Sequence, residues 1–259
     1  MNKSNFNWLS VRQLSLLETM LAFALPSVIA FIGFRLLLPV LIDHGVPVIA
    51  GWPMVASGML FLFVLAAIYL LKKEANSTGI SFAARACLGK ISGKEWFIYL
   101  VILMAGLLIT MLLQKASIYL SKISLFQVPD YYPFFLNPQI DPAKAGMNQL
   151  SPGFPVQGEY WLIGLMGLTL ILNILTEELY FRAWLLPKMS SLKQVSWILN
   201  GVLFAFYHTF QLWLLPQILP MSLIMAFVVY KSRSIWPAFA IHMIVNSLNV
   251  MGLISIVAS

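Results

Sequence analysis

Charge is scarce in this sequence. Only 10% of its 259 residues are Asp, Glu, Lys or Arg, where a soluble domain carries roughly 25%. Hydrophobic residues make up 60%, so a water-soluble globular domain is excluded and a polytopic all-α transmembrane bundle is expected. Cysteine is nearly absent: the single Cys87 rules out an intramolecular disulfide and a multi-cysteine metal site. No His is followed by Glu, so the zinc-protease signature His-Glu-x-x-His is missing, as is a Gly-x-Ser-Gly serine site. Asp130 and Asp141 both lie outside the apolar runs, which excludes a pair of intramembrane aspartates. The formal charge of +7 is spread over the ends of apolar runs, a pattern of membrane topology rather than of nucleic-acid binding. No cleavable signal is expected, because the first apolar run is long enough to span.

Seven such runs stand at about 20–41, 48–71, 96–113, 160–182, 195–208, 212–230 and 235–256, each compared with the roughly 20 residues that cross a bilayer core. Twelve of the sixteen Lys and Arg residues fall in the N-terminus, 72–95, 182–193 and 231–233. Positive residues concentrate on the cytoplasmic side, so a multi-pass cell (inner) membrane protein is expected, N-terminus cytoplasmic and C-terminus outside. Residues 78–94 read as an interfacial amphipathic helix on Ile80, Phe82, Ala83, Cys87, Leu88 and Ile91. The long segment 114–159 reads as an outer surface loop whose Tyr131, Tyr132, Phe134 and Phe135 sit at headgroup level. The chain divides into residues 1–159, the N-terminal helices with these two segments, and residues 160–259, where the chemistry lies.

Three costly groups stand together in the fourth run: Glu177, Glu178 and Arg182. A charge at the centre of a membrane helix costs about 2.5–3.5 kcal/mol, so each needs a partner or a polar site. On an α-helix Glu178 and Arg182 are i,i+4 neighbours and pair as a brace, while Glu177 lies about 100° away without a helical partner. His208 ends Phe204-Ala-Phe-Tyr-His208, and His242 shares a helix face with Asn246. His44, beside Asp43, reads as a solvated turn residue. At ~1.5 Å per residue, Glu177, His208, His242 and Asn246 reach similar depths, between mid-bilayer and its cytoplasmic half. A buried carboxylate can act as general base toward water, with an imidazole sharing the proton. A second imidazole and an amide can stabilise an oxyanion. Glu177, His208 and His242 are equally a set that could hold a Zn²⁺ with an open water position.

These motifs, Glu177-Glu178-x-x-x-Arg182, Phe204-x-x-x-His208 and His242-x-x-x-Asn246, in this order on separate apolar helices, resemble the CAAX-protease and bacteriocin-processing (CPBP, or abortive-infection) family of intramembrane proteases. The resemblance covers about residues 160–250. It implies an intramembrane endopeptidase (EC 3.4 class) in which Glu177 and His208 activate water and His242 and Asn246 bind the oxyanion, with Glu178, Arg182 and Phe204 in support. Metalloprotease-like and metal-free glutamate mechanisms use the same residues. The expected partners are the lipid bilayer and a peptide, bacteriocin-like leader or membrane-protein segment as substrate, without nucleic acid. Ile256-Val-Ala-Ser259 has no Cys at the fourth position from the end, so the chain is not expected to be a prenylated CAAX protein itself. A non-catalytic membrane factor for bacteriocin self-immunity or surface display and a proton-coupled transporter are the alternatives on the same helices.

Overall fold

The computed structural model describes residues 6–258; Lys3 and Ser259, used in the charge and C-terminal readings, lie outside the described residues. Seven long helices form one polytopic bundle, with no strand among the described residues. They are α1 (Leu16–Asp43), α2 (Val48–Thr78), α3 (Gly93–Leu120), α4 (Trp161–Leu192), α5 (Val195–Tyr207), α6 (Thr209–Ser232) and α7 (Trp236–Val257). Six are long and apolar enough to span; α5, at 13 residues, is shorter. Lipid-facing positions such as Leu25, Leu62, Leu108, Leu112 and Met251 are exposed, which suits a surrounding of hydrocarbon rather than water.

Helix ends follow local chemistry. Ser15 and Ser92 cap α1 and α3 through capping boxes with Glu18 and Glu95. Pro39 interrupts α1: it has no N–H to offer the carbonyl four residues back, and the preceding turn, Gly33–Leu37, winds as a π-helix. Gly79, at φ 68°, closes α2 in the left-handed conformation. Pro237 sits in the first turn of α7, and Pro216 in the first α-helical turn of α6 after its 3₁₀ start, Thr209–Leu214, where no α-helical hydrogen bond is lost.

The core is made where α2 lies along α4, α6 against α5 and α3, and α7 against α4. Without a hydrophobic drive between helices in lipid, close approach and interhelical hydrogen bonds set these contacts. At Gly201 a Cβ would fall 2.7 Å from the Leu223 Cα, so α5 and α6 cross backbone to backbone. Ser57 and Thr169 hydroxyls meet at 2.7 Å between α2 and α4, and the Thr176 hydroxyl donates to the Leu60 carbonyl at 3.1 Å.

One end of the bundle is tied together by hydrogen bonds from Leu14 N–H to the Lys188 carbonyl, Ile235 N–H to the Cys87 carbonyl, and Arg85 to the Ala183 and Trp184 carbonyls. At the other end Gly158 N–H bonds the Val257 carbonyl. Three sequence expectations change here. The helix expected over 78–94 is a single turn, Phe82–Arg85. Arg85 is drawn fully inside to Glu74, which also binds Lys188, and Cys87 breaks the winding at φ 54°. The aromatic cluster of the long loop turns inward: Tyr132 and Phe134 are buried. The Tyr132 hydroxyl donates to the Phe210 carbonyl at 2.9 Å, and Trp213 Nε1–H donates to the Leu136 carbonyl at 2.8 Å. The Arg35 guanidinium faces the Tyr132 and Trp213 rings at 5.5 and 5.2 Å, so this loop is stapled over the bundle rather than laid on headgroups. Finally, the fourth helix runs past the expected end at 182: Pro187 sits in a 3₁₀ turn, Leu186–Leu192, that continues α4.

Candidate active site

At Glu177 the winding of α4 changes. Trp161–Thr176 is α-helical, and Glu177–Leu185 winds as a π-helix. A π-turn alters the phase between residues and frees carbonyls from the α ladder. Those carbonyls are taken up from outside the helix: Phe181 by the Asn200 side-chain amide at 2.9 Å, Ala183 and Trp184 by Arg85 at 2.6 and 2.9 Å. Such external capping is what allows irregular backbone inside a membrane bundle.

The expected Glu178–Arg182 brace is not formed. Among the described residues the only ion-pair partner of Glu178 is His242, whose Nδ1 lies 3.1 Å from Glu178 Oε1. Arg182 is fully buried, and among the described residues its guanidinium nitrogens have no hydrogen-bond partner. It lies flat against the Phe204 ring, 3.7 Å from the centroid. The pairing rule assumed α-helical phase, and the π-turn removes that phase.

The carboxylate of Glu177 is the hub. His208 Nε2 stands 3.7 Å from its Oε1 and His242 Nε2 stands 3.6 Å from its Oε2. Both imidazoles are held from behind. His208 follows the last residue of α5, and its Nδ1–H donates to the Phe204 carbonyl at 3.0 Å, a carbonyl left over at the helix end. A carbonyl can only accept, so the neutral ring of His208 presents a lone pair at Nε2. His242 is held by its Nδ1 on Glu178. Phe204 therefore acts three ways: its carbonyl aims His208, its edge packs on that ring at 5.0 Å, and its face takes Arg182.

One site residue escaped the sequence reading. The Asn173 side-chain amide donates to Glu177 Oε1 at 2.8 Å, and Asn173 Oδ1 accepts from Asn246 Nδ2 at 2.9 Å. Asn246 thus reaches Glu177 through Asn173. The available signal was a polar residue at i−4 from Glu177 in an otherwise apolar helix.

A cavity of about 380 Å³ opens in front of this cluster, a volume within the range of small-ligand sites. Glu177, His208, His242, Asn173 and Asn246 line one part, and Met221 and Leu107 belong to its apolar wall. It reaches Phe135 and Leu136 of the stapled loop. His44 is exposed, and its ring bonds the Val40 carbonyl, apart from the cluster.

Each imidazole faces a different oxygen of Glu177, and among the described residues no group of three or more His, Cys, Asp or Glu side chains is arranged to hold a metal ion. Zinc at Glu177, His208 and His242 gains no support from this arrangement.

No curated protein and no solved structure matches the chain. Residues 159–248 match the family model described as type II CAAX prenyl endopeptidase Rce1-like. That segment runs from the start of α4 into α7, so the likeness to the family lies in the helices that carry Glu177, His208, His242 and Asn246.

Proposed function

We propose that the chain is an intramembrane endopeptidase that hydrolyses a peptide bond with a water activated by Glu177. The observation that carries this reading is the pair of imidazole Nε2 atoms at 3.7 and 3.6 Å from the two oxygens of one buried carboxylate, at the wall of a cavity. Glu177 Oε1 and the His208 Nε2 lone pair are both acceptors, so they do not bond each other. A water within about 2.8 Å of both donates a proton to each and keeps a lone pair for attack on a carbonyl carbon. As the O–C bond forms, the proton passes to Glu177, and from there to the leaving amide nitrogen. His242 Nε2, when protonated, and the second N–H of Asn246 Nδ2 supply donors to the oxyanion. Glu178 keeps His242 turned by its Nδ1, and Asn173 keeps Glu177 turned by its Oε1.

The apolar cavity wall and the membrane setting support a peptide or membrane-protein segment as substrate. The basic loops share the bundle end formed by the N-terminal segment, 79–92, 186–194 and 232–235, which supports a cytoplasmic N-terminus and an outer C-terminus.

The test is cleavage of membrane-tethered peptides by the full chain in detergent or lipid nanodiscs. Glu177→Gln and His208→Ala are each expected to lower the rate by about 10²–10⁴-fold, the contribution of positioned acid–base groups. Cleavage at the parent rate by either variant refutes the assignment. Absence of cleavage alongside full biological activity of Glu177→Ala favours a non-catalytic membrane factor.

A further inference from the structure

A second cleft lies at the opposite end of the bundle's long axis from the stapled loop, among the basic connections. It measures about 570 Å³, and Trp8, Ser190, Lys193, Tyr230, Arg233 and Asn7 contribute to its lining. Lys193 sits in the link from α4 to α5 and Arg233 in the link from α6 to α7. No carboxylate lines the cleft among the described residues.

Two observations point to a ligand. Among the described residues, only three non-glycine residues have positive φ, and two of them are these cations: Lys193 at φ 53°, ψ −128° and Arg233 at φ 58°. Both are the cap residues where a helix closes, positions that glycine fills without steric cost. A long basic side chain kept in a strained backbone at each of two neighbouring turns is a pattern of functional sites. Second, the Arg233 guanidinium is oriented but not satisfied. Its face stacks on the Trp8 ring at 3.8 Å and lies 5.2 Å from Tyr230, while no protein acceptor bonds its N–H groups among the described residues. Stacking that fixes the plane leaves the edge donors pre-set for a planar or tetrahedral oxyanion.

We infer that this cleft is a binding site for a phosphate group, with Arg233 and Lys193 as its cationic ligands, placed at the basic end of the bundle where an anionic lipid headgroup can reach it. The exposed Leu9 at the rim offers an apolar contact for the acyl side of such a lipid. The inference is independent of the peptidase reading, since no residue of the cleft takes part in the Glu177 cluster.

The experiment is binding to the full chain in detergent, read by native mass spectrometry with phosphatidylglycerol or phosphatidylcholine, and by the shift of the unfolding midpoint with inorganic phosphate. The parent chain is expected to retain phosphatidylglycerol at least tenfold more tightly than phosphatidylcholine. Competition by inorganic phosphate identifies the phosphate itself as sufficient; no competition assigns the site to the lipid headgroup. Arg233→Gly and Lys193→Gly suit the backbone at those turns, so each is expected to keep the parent midpoint while weakening binding by about tenfold, the loss of one charge-assisted contact. If Arg233→Gly unfolds through loss of the Trp8 stack, Lys193→Gln carries the same test, because Lys193 is exposed and makes no ring contact in the structure. Equal retention of the two lipids together with no effect of phosphate overturns the inference. So does parent-like binding by the Lys193 variants.

Discussion

Replacing Asn173 by Leu keeps the size of the side chain and removes two hydrogen bonds at once. The lost donor serves Glu177 Oε1 at 2.8 Å, and the lost acceptor serves Asn246 Nδ2 at 2.9 Å. Hydrogen bonds to charged groups are worth about 1.5–3 kcal/mol, which is roughly 10- to 150-fold in rate if the orientation of the carboxylate matters in the transition state. Glu177 itself stays buried, so the effect falls on the rate of cleavage more than on substrate affinity. The assay is the same peptide cleavage, with kcat and KM measured separately for Asn173→Leu, Asn246→Leu and the double variant. Because Asn246 reaches Glu177 through Asn173 and also donates to the oxyanion, Asn246→Leu is expected to lose more kcat than Asn173→Leu, and the double variant to fall close to Asn246→Leu, with a coupling energy of about 1 kcal/mol or more. A kcat for Asn173→Leu within threefold of the parent, or additive losses in the double variant, refutes the chain Asn246–Asn173–Glu177 as a positioning device.

The buried thiol of Cys87 gives a stability readout for the other variants. Burial lifts its pKa from the ordinary 9.0 to about 11, so alkylation at pH 7.5 is expected only on unfolding, and the folded chain is expected to lose stability as pH rises from 9.0 towards 11; rapid labelling of the native chain at pH 7.5 contradicts the buried position. By this assay Glu74→Gln, which strips the carboxylate from the buried Arg85 and from Lys188, should destabilise the chain by about 3 kcal/mol. Gly201→Ala pushes a Cβ to 2.7 Å from the Leu223 Cα and should cost about 1–3 kcal/mol, seen as a lower unfolding midpoint. Phe204→Leu leaves the Arg182 guanidinium without its ring, a loss of about 2 kcal/mol for a desolvated cation–π contact. A parent-like midpoint removes that role from Phe204.

The fold was legible because a membrane helix must close its own backbone hydrogen bonds, so apolar length alone marks it. All seven runs appear as helices, and even the short fifth begins at Val195 as expected. What sequence pattern could not reach were contacts made by breaking regularity. The 78–94 segment has an amphipathic spacing, yet Arg85 is worth more as a cap on the Ala183 and Trp184 carbonyls and a partner for Glu74 than as a solvated cation. The loop aromatics have the composition of a headgroup belt, yet Tyr132 finds an acceptor in the Phe210 carbonyl, just before the winding of α6 breaks at Gln211. In the site, the grouping of Glu177, His208 and His242 was legible from charge cost and depth. The partner of Glu178 was not, because helical arithmetic has no means of anticipating a π-turn.

That irregularity also explains why these residues can form a site at all. A side chain on a straight α-helix packed in a bundle has its direction set by the helix, and its carbonyls are consumed by the ladder. Here α4 changes winding at Glu177, and α5 stops at Tyr207, immediately before His208. The π-turn leaves Glu178 facing His242 and Arg182 facing Phe204. The end of α5 leaves the Phe204 carbonyl free to hold the His208 ring. Each break therefore supplies either a direction or an acceptor that an unbroken helix withholds. The carbonyls the π-turn exposes are sealed from the far side by Asn200 and Arg85, so the site faces its cavity while its back remains closed. A variant that restores α winding between Glu177 and Leu185 should then separate fold from chemistry. It would keep the bundle and its apolar contacts, but turn Glu178 away from His242 and abolish cleavage without unfolding the chain.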